Sequence, residues 1–282
     1  MRHGRCELCH ATADLCDSHF LPKAAYKRAR ATELKNPNPV VLSDGKAKQS
    51  SLQVRDYKFC RVCEKRFNDG GERWILDHIP ENYGDGFKLQ DTLLNAVSPV
   101  SSGRDDLLYP QTSIPEVDME KLVYFALSIF WRATRHWRPV EGGSPERLYL
   151  SGRHESAIRA FLLEPEKRKL PKDVVVTVAV WPYNKVYPLA TPPRTDAEAE
   201  YRAYWFYYHG FIFALALGRK IPALARRCCS YHSPEKFLAV NRGLARQVKN
   251  TIAEDFKRLD SSSLKSMFRE IRTKRGTHLP QS

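Results

Sequence analysis

Two Cys-x-x-Cys motifs near the start of the chain, Cys6–Cys9 and Cys60–Cys63, constrain its fold more than any other feature. Each such turn places two thiolates on one side of a metal ion, and two turns complete a tetrahedral site. Since 50 residues separate the motifs, a substructure must be inserted between them. The sequence therefore predicts a structural Zn²⁺ bound by all four cysteines, and a first domain over residues 1–80 that needs this ion to fold.

Two side chains near these cysteines have the chemistry of a hydrolytic pair. His19 lies in a short extended stretch that closes on Pro22, and Glu64 directly follows the last cysteine, where a helix is expected to begin. If zinc draws the two motifs together, His19 and Glu64 become neighbours. A neutral imidazole can take a proton from water, and a carboxylate can hold Mg²⁺ or Mn²⁺ beside a phosphate group.

The wider pattern Ser-His-x-x-Pro-Lys over 18–23, followed by Cys-x-x-Cys-Glu over 60–64, resembles zinc-containing HNH (His-Me finger) endonucleases. Within them it is similar to an uncharacterised bacterial group, some of whose members are suspected of serving in phage defence. The resemblance covers about residues 1–80. It implies His19 as general base and Glu64 near a catalytic Mg²⁺ or Mn²⁺.

Two positions depart from the pattern of that family and leave an alternative open. Ser18 stands where the family often has a metal-binding Asp or a second His, and Glu64 stands where His or Asn is usual. Adjacent side chains on a strand face opposite sides, so Asp17 is not expected to replace Ser18. The expected function is a metal-dependent nucleic-acid phosphodiesterase. The alternative is a catalytically inactive zinc-finger regulator that binds nucleic acid.

Glu72 is a second candidate carboxylate, further along the same segment. Gly70 and Gly71 are expected to end the helix that starts near Glu64, because glycine is the residue most often found just beyond a helix C-terminus. Glu72 is then expected to be an exposed or capping carboxylate rather than a ligand.

Hydrophobic patterning predicts a second folded region beyond residue 80. Residues 81–115, rich in Pro, Gly, Ser and Asp, are expected to link the two regions. The expected elements are a helix over 116–138, a helix over 153–164, a strand over 173–181, two strands joined at His209-Gly210 (or a buried helix there), and a helical region over 234–272. The expected fold class is α+β: an N-terminal zinc-stapled ββα-metal (treble-clef-like) finger, then a mixed α/β C-terminal domain over 116–282 with basic C-terminal helices.

Positive charge is concentrated at the two ends of the chain, whose formal net charge is +14. Residues 219–282 alone hold 15 Lys and Arg against 5 Asp and Glu. Such a distribution favours a polyanionic partner, so nucleic acid is expected, with DNA favoured over RNA. A solvated basic surface is the alternative. The residues expected to contact nucleic acid are Lys23, Lys27, Arg28, Arg242, Arg246 and Lys249.

The apolar runs of the sequence are too short for a membrane span. The longest, Leu122–Trp131 and Tyr204–Leu217, fall below the roughly 18 residues that a spanning helix needs. The first residues lack the apolar core of a secretory signal. A cytoplasmic protein without membrane contact is expected, and self-association or a defence-system partner is left open.

Overall fold

A computed structural model describes residues 2–29, 40–43, 46–49, 53–80, 86–102, 106–138, 147–183, 189–196 and 199–258. The fold is a mixture of helices and sheets, with a cluster of cysteines near the N-terminus. The side chains of residues 40–49 and 101–102 lie outside the description.

The N-terminal part is built on a three-stranded antiparallel sheet. Its strands, in spatial order, are β1 (Arg2–Arg5), β2 (Thr12–His19) and β5 (Arg55–Cys60). A bulge in β2 between Leu15 and Asp17 shifts the register, so that Leu15 pairs with Cys60 and His19 pairs with Arg55. The connection from β2 to β5 contains α1 (Lys23–Arg28) and a hairpin of β3 (Val40–Ser43) and β4 (Lys46–Gln49).

A long helical segment follows β5 without a break. It consists of α2 (Arg61–Phe67), one π-helical turn (Asn68–Glu72) and α3 (Arg73–His78). The expectation that the helix ends at Gly70-Gly71 is therefore wrong.

Close packing against α5 (Met119–Arg132) explains the two glycines. A Cβ atom on Gly70 would lie 2.3 Å from the ring of Tyr124, and one on Gly71 would lie 2.5 Å from the carbonyl oxygen of Lys121. Both distances are shorter than van der Waals contact, so any side chain here would push the two helices apart. The glycines serve a helix crossing and not a helix end.

A seven-stranded sheet forms the centre of the remaining chain. In spatial order its strands are β6 (Ser101–Ser102), β7 (Asp106–Tyr109), β12 (Leu238–Asn241), β8 (Val174–Val180), β11 (Phe211–Leu217), β10 (Arg202–Tyr208) and β9 (Arg194–Thr195). Neighbouring strands are antiparallel except β12 and β8, which are parallel. The strand expected over 173–181 is confirmed as β8, whose five valines are all buried.

The aromatic stretch 201–217 is a hairpin, which confirms two strands and excludes a buried helix. His209 and Gly210 form its turn with φ angles of 45° and 99°. Positive φ at both central residues is the geometry that two-residue hairpin loops prefer, and glycine adopts it without strain.

The other helices are α4 (Lys88–Asn95), α6 (Gly152–Leu163), α7 (Ala223–Arg227) and α8 (Arg242–Lys257), and Gln111–Ser113 forms a 3₁₀ turn. The helix expected over 153–164 is confirmed as α6. The segment 81–115 contains α4 and two strands of the large sheet.

Part of the expected C-terminal helix is a strand instead. Leu238–Asn241 forms β12 between β7 and β8, because a short apolar run satisfies either structure and here its backbone completes the sheet. The helix begins at Arg242, where the Asn241 side chain accepts a hydrogen bond from the Leu244 amide. Residues 259–272 of the expected helix lie outside the described residues.

Helices α5 and α8 cover opposite faces of the large sheet. The expected helix over 116–138 is α5, and it is buried on nearly all sides rather than along one stripe. Phe206 and Phe213 pack in the cluster that contains α5, whereas Trp205 and Ile212 pack with α8. Since successive strand residues face opposite sides, the two helices are separated by the sheet.

One hydrophobic cluster includes both the N-terminal part and the α5 side of the sheet. Phe59 of β5 lies 5.9 Å from Trp131 of α5, and Phe125 of α5 lies 5.5 Å from Phe213 of β11, between ring centroids. A helix that is apolar all round is expected to be buried between two layers. Helix α5 is that middle layer.

Candidate metal centre and adjoining pocket

The four cysteines of the two motifs converge on one point, as their spacing predicts. Cys6 and Cys9 lie in the turn after β1, Cys60 ends β5, and Cys63 lies in the first turn of α2. Their sulfur atoms all lie within 4.8 Å of one another, and those of Cys9 and Cys60 are 3.8 Å apart. A tetrahedron with Zn–S bonds of about 2.3 Å has edges of about 3.8 Å. The cluster is therefore compatible with a zinc ion.

The electrostatics of the cluster also suit a cation. The Cys60 amide lies 3.4 Å from the Cys6 sulfur, and a guanidinium nitrogen of Arg66 lies 3.8 Å from the Cys63 sulfur. A hydrogen bond from Cys63 lowers the pKa of Cys6 to about 4, and the same interaction raises the pKa of Cys63. The thiolate form of Cys6 is thus stabilised inside a buried site, which is the form that binds metal.

A pocket of about 470 Å³ adjoins the cysteine cluster. Its lining comes from the end of β2, from α1, from the long helical segment and from α5. The lining residues are His19, Pro22, Lys23, Arg61, Glu64, Lys65, Asn68, Glu72 and Arg132. His19 and Glu64, expected to be neighbours, thus open onto the same space, together with four cationic side chains.

His19 is the last residue of β2 and is half-buried. Burial lowers the pKa of its imidazole, and the nearby positive charges of Lys23, Arg55 and Arg132 lower it further, against the opposing effect of Asp17. With the ordinary histidine pKa of about 6.5, the ring is already neutral in most molecules at pH 7. The site therefore holds His19 in the form that accepts a proton.

Glu64 has a carboxylate oxygen, Oε1, that is buried without a hydrogen-bond partner among the described residues. Burial raises the pKa of Glu64, while the charge of Arg132 and a hydrogen bond with Ser18 oppose the rise. Leaving a buried acceptor unsatisfied costs about 1–3 kcal/mol, and more when it is charged. A positively charged group brought next to this oxygen would satisfy it.

The two residues before His19 have different surroundings. Ser18 is buried and also accepts a hydrogen bond from the Phe59 amide at 3.2 Å. Asp17 is exposed and forms a 2.6 Å ion pair with Arg55. The side chain that contacts Glu64 from this strand is therefore a hydroxyl and not a second carboxylate.

Glu72 is in the pocket, contrary to the expectation of an exposed or capping carboxylate. The helix continues through Gly70-Gly71, and its π-helical turn places Glu72 where it forms a 2.6 Å ion pair with Arg132 of α5. Both side chains are largely buried. π-helical turns inside helices are often found at functional sites.

Four pocket residues were not named from the sequence: Arg61, Lys65, Asn68 and Arg132. Arg132 closes an apolar helix, a position that the helix dipole alone explains adequately. The available signal was that this helix is apolar on all sides, so a charge at its end has to be buried with a partner. Nothing in the sequence indicated that the partner would be Glu72.

The six residues expected to contact nucleic acid fall into two groups. Lys23 lines the pocket and Lys27 is exposed on α1, whereas Arg28 donates a 2.8 Å hydrogen bond to the carbonyl oxygen of Ile79. The other three are exposed on α8: Arg242, Arg246 and Lys249. The large sheet separates the two groups, so the structure does not bring them together.

No protein-family model matches the chain, and no curated protein or solved structure is significantly similar to it. Within the described residues, no helix has both the length and the apolar character required to cross a membrane. A functional assignment therefore depends on the geometry of the cysteine cluster and the pocket.

Proposed function

We propose that this chain is a metal-dependent nucleic-acid phosphodiesterase of the HNH type. In this proposal His19 is the general base and Glu64 helps to hold a catalytic Mg²⁺ or Mn²⁺. The observation that carries it is the pocket that His19 and Glu64 both line. In addition, Glu64 Oε1 is buried without a hydrogen-bond partner among the described residues. Hydrolysis of a phosphodiester needs a base and a metal-binding group at one cavity, and His19 and Glu64 are the candidates for these roles.

The order of elements around the pocket supports a ββα-metal finger. Antiparallel strands β2 and β5 are followed directly by α2, and the cysteine cluster joins the turn after β1 to the start of that helix. His19 ends the first strand of the pair and Glu64 lies in the first turn of the helix. A structural Zn²⁺ would hold these two ends together.

The chain's own groups have separable roles in the proposed reaction. The neutral imidazole of His19 takes the proton of the attacking water. Lys23, Arg61 and Lys65 are exposed at the pocket and attract the phosphate backbone of DNA, the favoured substrate over RNA. Ser18 holds the Glu64 carboxylate in place. The divalent cation, when bound, stabilises the charge that develops on the phosphate and the leaving oxygen.

A catalytically inactive nucleic-acid-binding regulator is the second candidate. It is favoured by the burial of Glu64, which raises the pKa of this carboxyl and so disfavours the charged form that binds a cation. Bound metal would reverse that shift, since a nearby cation favours the charged form. Turnover separates the two functions, whereas zinc content and affinity for nucleic acid do not.

The test is cleavage of plasmid DNA and of RNA by the full chain with Mg²⁺ or Mn²⁺. His19→Ala should lower the cleavage rate roughly 10²–10⁴-fold while binding is retained. His3→Ala is the matched control, because His3 lies in the same sheet but pairs with Asp14 in an exposed position. Equal cleavage by wild type and His19→Ala, with the zinc retained, would contradict the assignment.

A further inference from the structure

Arg132 differs from the three exposed cations of the pocket because its side chain is only 2% exposed. Its Nη2 lies 2.6 Å from Glu72, and its Nη1 lies 3.3 Å from the carbonyl oxygen of Phe20 and 3.5 Å from that of His19. The guanidinium also lies over the ring of Phe67 at 4.1 Å from its centroid. One side chain thus joins the end of β2 to the long helical segment.

Stability alone does not explain this arginine. A buried ion pair often contributes nothing net, because desolvation of the two charges offsets their attraction, and apolar replacements of similar volume are frequently neutral or stabilising. Apolar surroundings are available here, since the rings of Phe59 and Phe67 both adjoin the guanidinium. The Nε atom of Arg132 is moreover buried without a hydrogen-bond partner among the described residues. The role of Arg132 lies instead in its Nη1 and Nη2 atoms, which join Glu72 to the backbone at the end of β2.

We propose that Arg132 is a positioning residue of this pocket: it ties the backbone at His19 to Glu72, and so sets the imidazole against the helix that carries Glu64. The inference rests on the proposed phosphodiesterase. It adds that the site is completed by α5 of the second region, so that residues 1–80 do not contain all of it.

Arg135 provides a matched control on the next turn of the chain. It forms a 2.8 Å ion pair with Glu155, and its guanidinium lies 4.5 Å from the ring centroid of Trp131. These are the same two kinds of contact that Arg132 makes with Glu72 and Phe67. Arg135 is not among the residues that line the pocket. An effect on kcat that Arg132→Met has and Arg135→Met does not, with both variants folded to the same extent, is therefore an effect on the pocket.

The experiment compares Arg132→Met, Arg132→Lys and Arg135→Met in the full chain, with zinc content measured for each. Arg132→Met should lower kcat by about 10²-fold, the cost of misplacing a reacting group by roughly 1 Å, with KM little changed. Arg132→Lys should recover part of this loss, because an ammonium can still bond to Glu72 but cannot span all the acceptors. Arg135→Met should leave kcat unchanged.

Two kinetic outcomes would overturn the inference. An equal loss of kcat in Arg132→Met and Arg135→Met would show that the effect is general destabilisation. A rise in KM with kcat unchanged would show that Arg132 binds the substrate and does not position His19.

The inference can fail separately from the proposed function. If the wild type cleaves no substrate, the phosphodiesterase proposal is refuted, and the His19 imidazole signal in a proton–nitrogen correlation spectrum decides the role of Arg132. That signal is recorded at a pH where the ring is neutral in every variant, so that loss of the Arg132 charge does not change its protonation. It should shift in Arg132→Met and not in Arg135→Met; an unchanged signal would refute the inference. If Arg132→Met does not fold, Glu72→Gln takes its place, since it keeps the arginine but removes its anionic partner. The same shift is then expected, and its absence has the same meaning.

Discussion

The two basic surfaces of this chain lie on opposite faces of one sheet and have different chemistry. The pocket side combines cations with His19, Glu64 and Glu72, next to a cluster of four cysteines. The α8 side has exposed cations, with Lys249 5.4 Å from the ring centroid of Tyr183. Positive charge alone provides affinity for a polyanion, whereas a reaction needs a base and a metal ligand at the same point. The same net charge can therefore have two separable roles.

The largest expected difference between the two sides follows removal of the proposed zinc site. Cys60→Ser should lose the metal and the ordered pocket, because in the proposed finger the ion joins the turn after β1 to the start of α2. Amides of β2 and β5 should then exchange rapidly with deuterium, while those of β8 and β11, in the large sheet, stay protected. Elemental analysis and hydrogen exchange measure the two effects.

Cys16→Ser is the control for that experiment. Cys16 lies at the bulge of β2 and is half-buried, but it is not one of the four converging cysteines. It should retain the zinc and the protection of β2. Two results would contradict this prediction: wild-type protein without zinc, or an unchanged exchange pattern after Cys60→Ser. Either would mean that the pocket side, like the α8 side, is stabilised by its apolar core and not by a metal ion.

The second expected effect concerns Glu64 alone. Glu64→Gln keeps the shape of the side chain but removes the anionic ligand, so Mn²⁺ affinity should fall by at least about tenfold, the lower end of what losing even an outer-shell partner costs. Calorimetric titration of the zinc-loaded protein with Mn²⁺ measures this. Asp69→Asn is the control, because Asp69 is on the same helical segment but is exposed and paired with Lys65. Equal Mn²⁺ binding by wild type and Glu64→Gln would remove Glu64 from the proposed metal site.

How much of the fold and of the candidate site could be predicted depends on how far apart the interacting residues lie in the sequence. The cysteine cluster follows from two local motifs and one metal geometry, so Cys6, Cys9, Cys60 and Cys63 could be named together. The valine run of β8 and the His209-Gly210 turn could also be predicted, because hydrophobic periodicity and turn type depend on neighbouring residues.

Glu72 and Arg132 were not predictable, for a tertiary reason. Gly70 and Gly71 have the composition of a helix end, and only the close approach of α5 explains why the helix passes through them. The ion pair joins residues 60 positions apart in the chain. Leu238–Asn241 shows the same limit, since its apolar run fits a helix or a strand until the neighbouring strands β7 and β8 are known.

A third expected effect is the pH dependence of the pocket side. The site lowers the pKa of His19, so the proton-accepting form persists below the ordinary value of about 6.5 and is lost only as the pH falls through the lowered pKa. The acid limb of kcat/KM against pH should therefore have its midpoint below about 6.5. The affinity of α8 for a polyanion depends on Arg and Lys, which stay charged throughout this pH range. This affinity should therefore not fall over the pH range in which kcat/KM falls. A midpoint above 6.5 would contradict the described environment of His19.

The smallest expected effect is on the α8 side. Changing Arg242, Arg246 and Lys249 together to Gln should weaken DNA binding and make it less sensitive to salt, by about 0.9 in the slope of log K against log salt for each phosphate that the protein no longer neutralises. The control is the same change to Gln at three exposed cations in the turn after α6, which alters the net charge equally: Lys167, Arg168 and Lys169. Binding isotherms at several salt concentrations measure the slopes, and kcat at saturating DNA should stay the same because α8 lies across the sheet from His19. If the two triples change the slope equally, α8 contributes only net charge and its cations are an ordinary solvated surface. If the α8 triple lowers kcat as well, DNA held at α8 must also reach the pocket, and the two surfaces act as one.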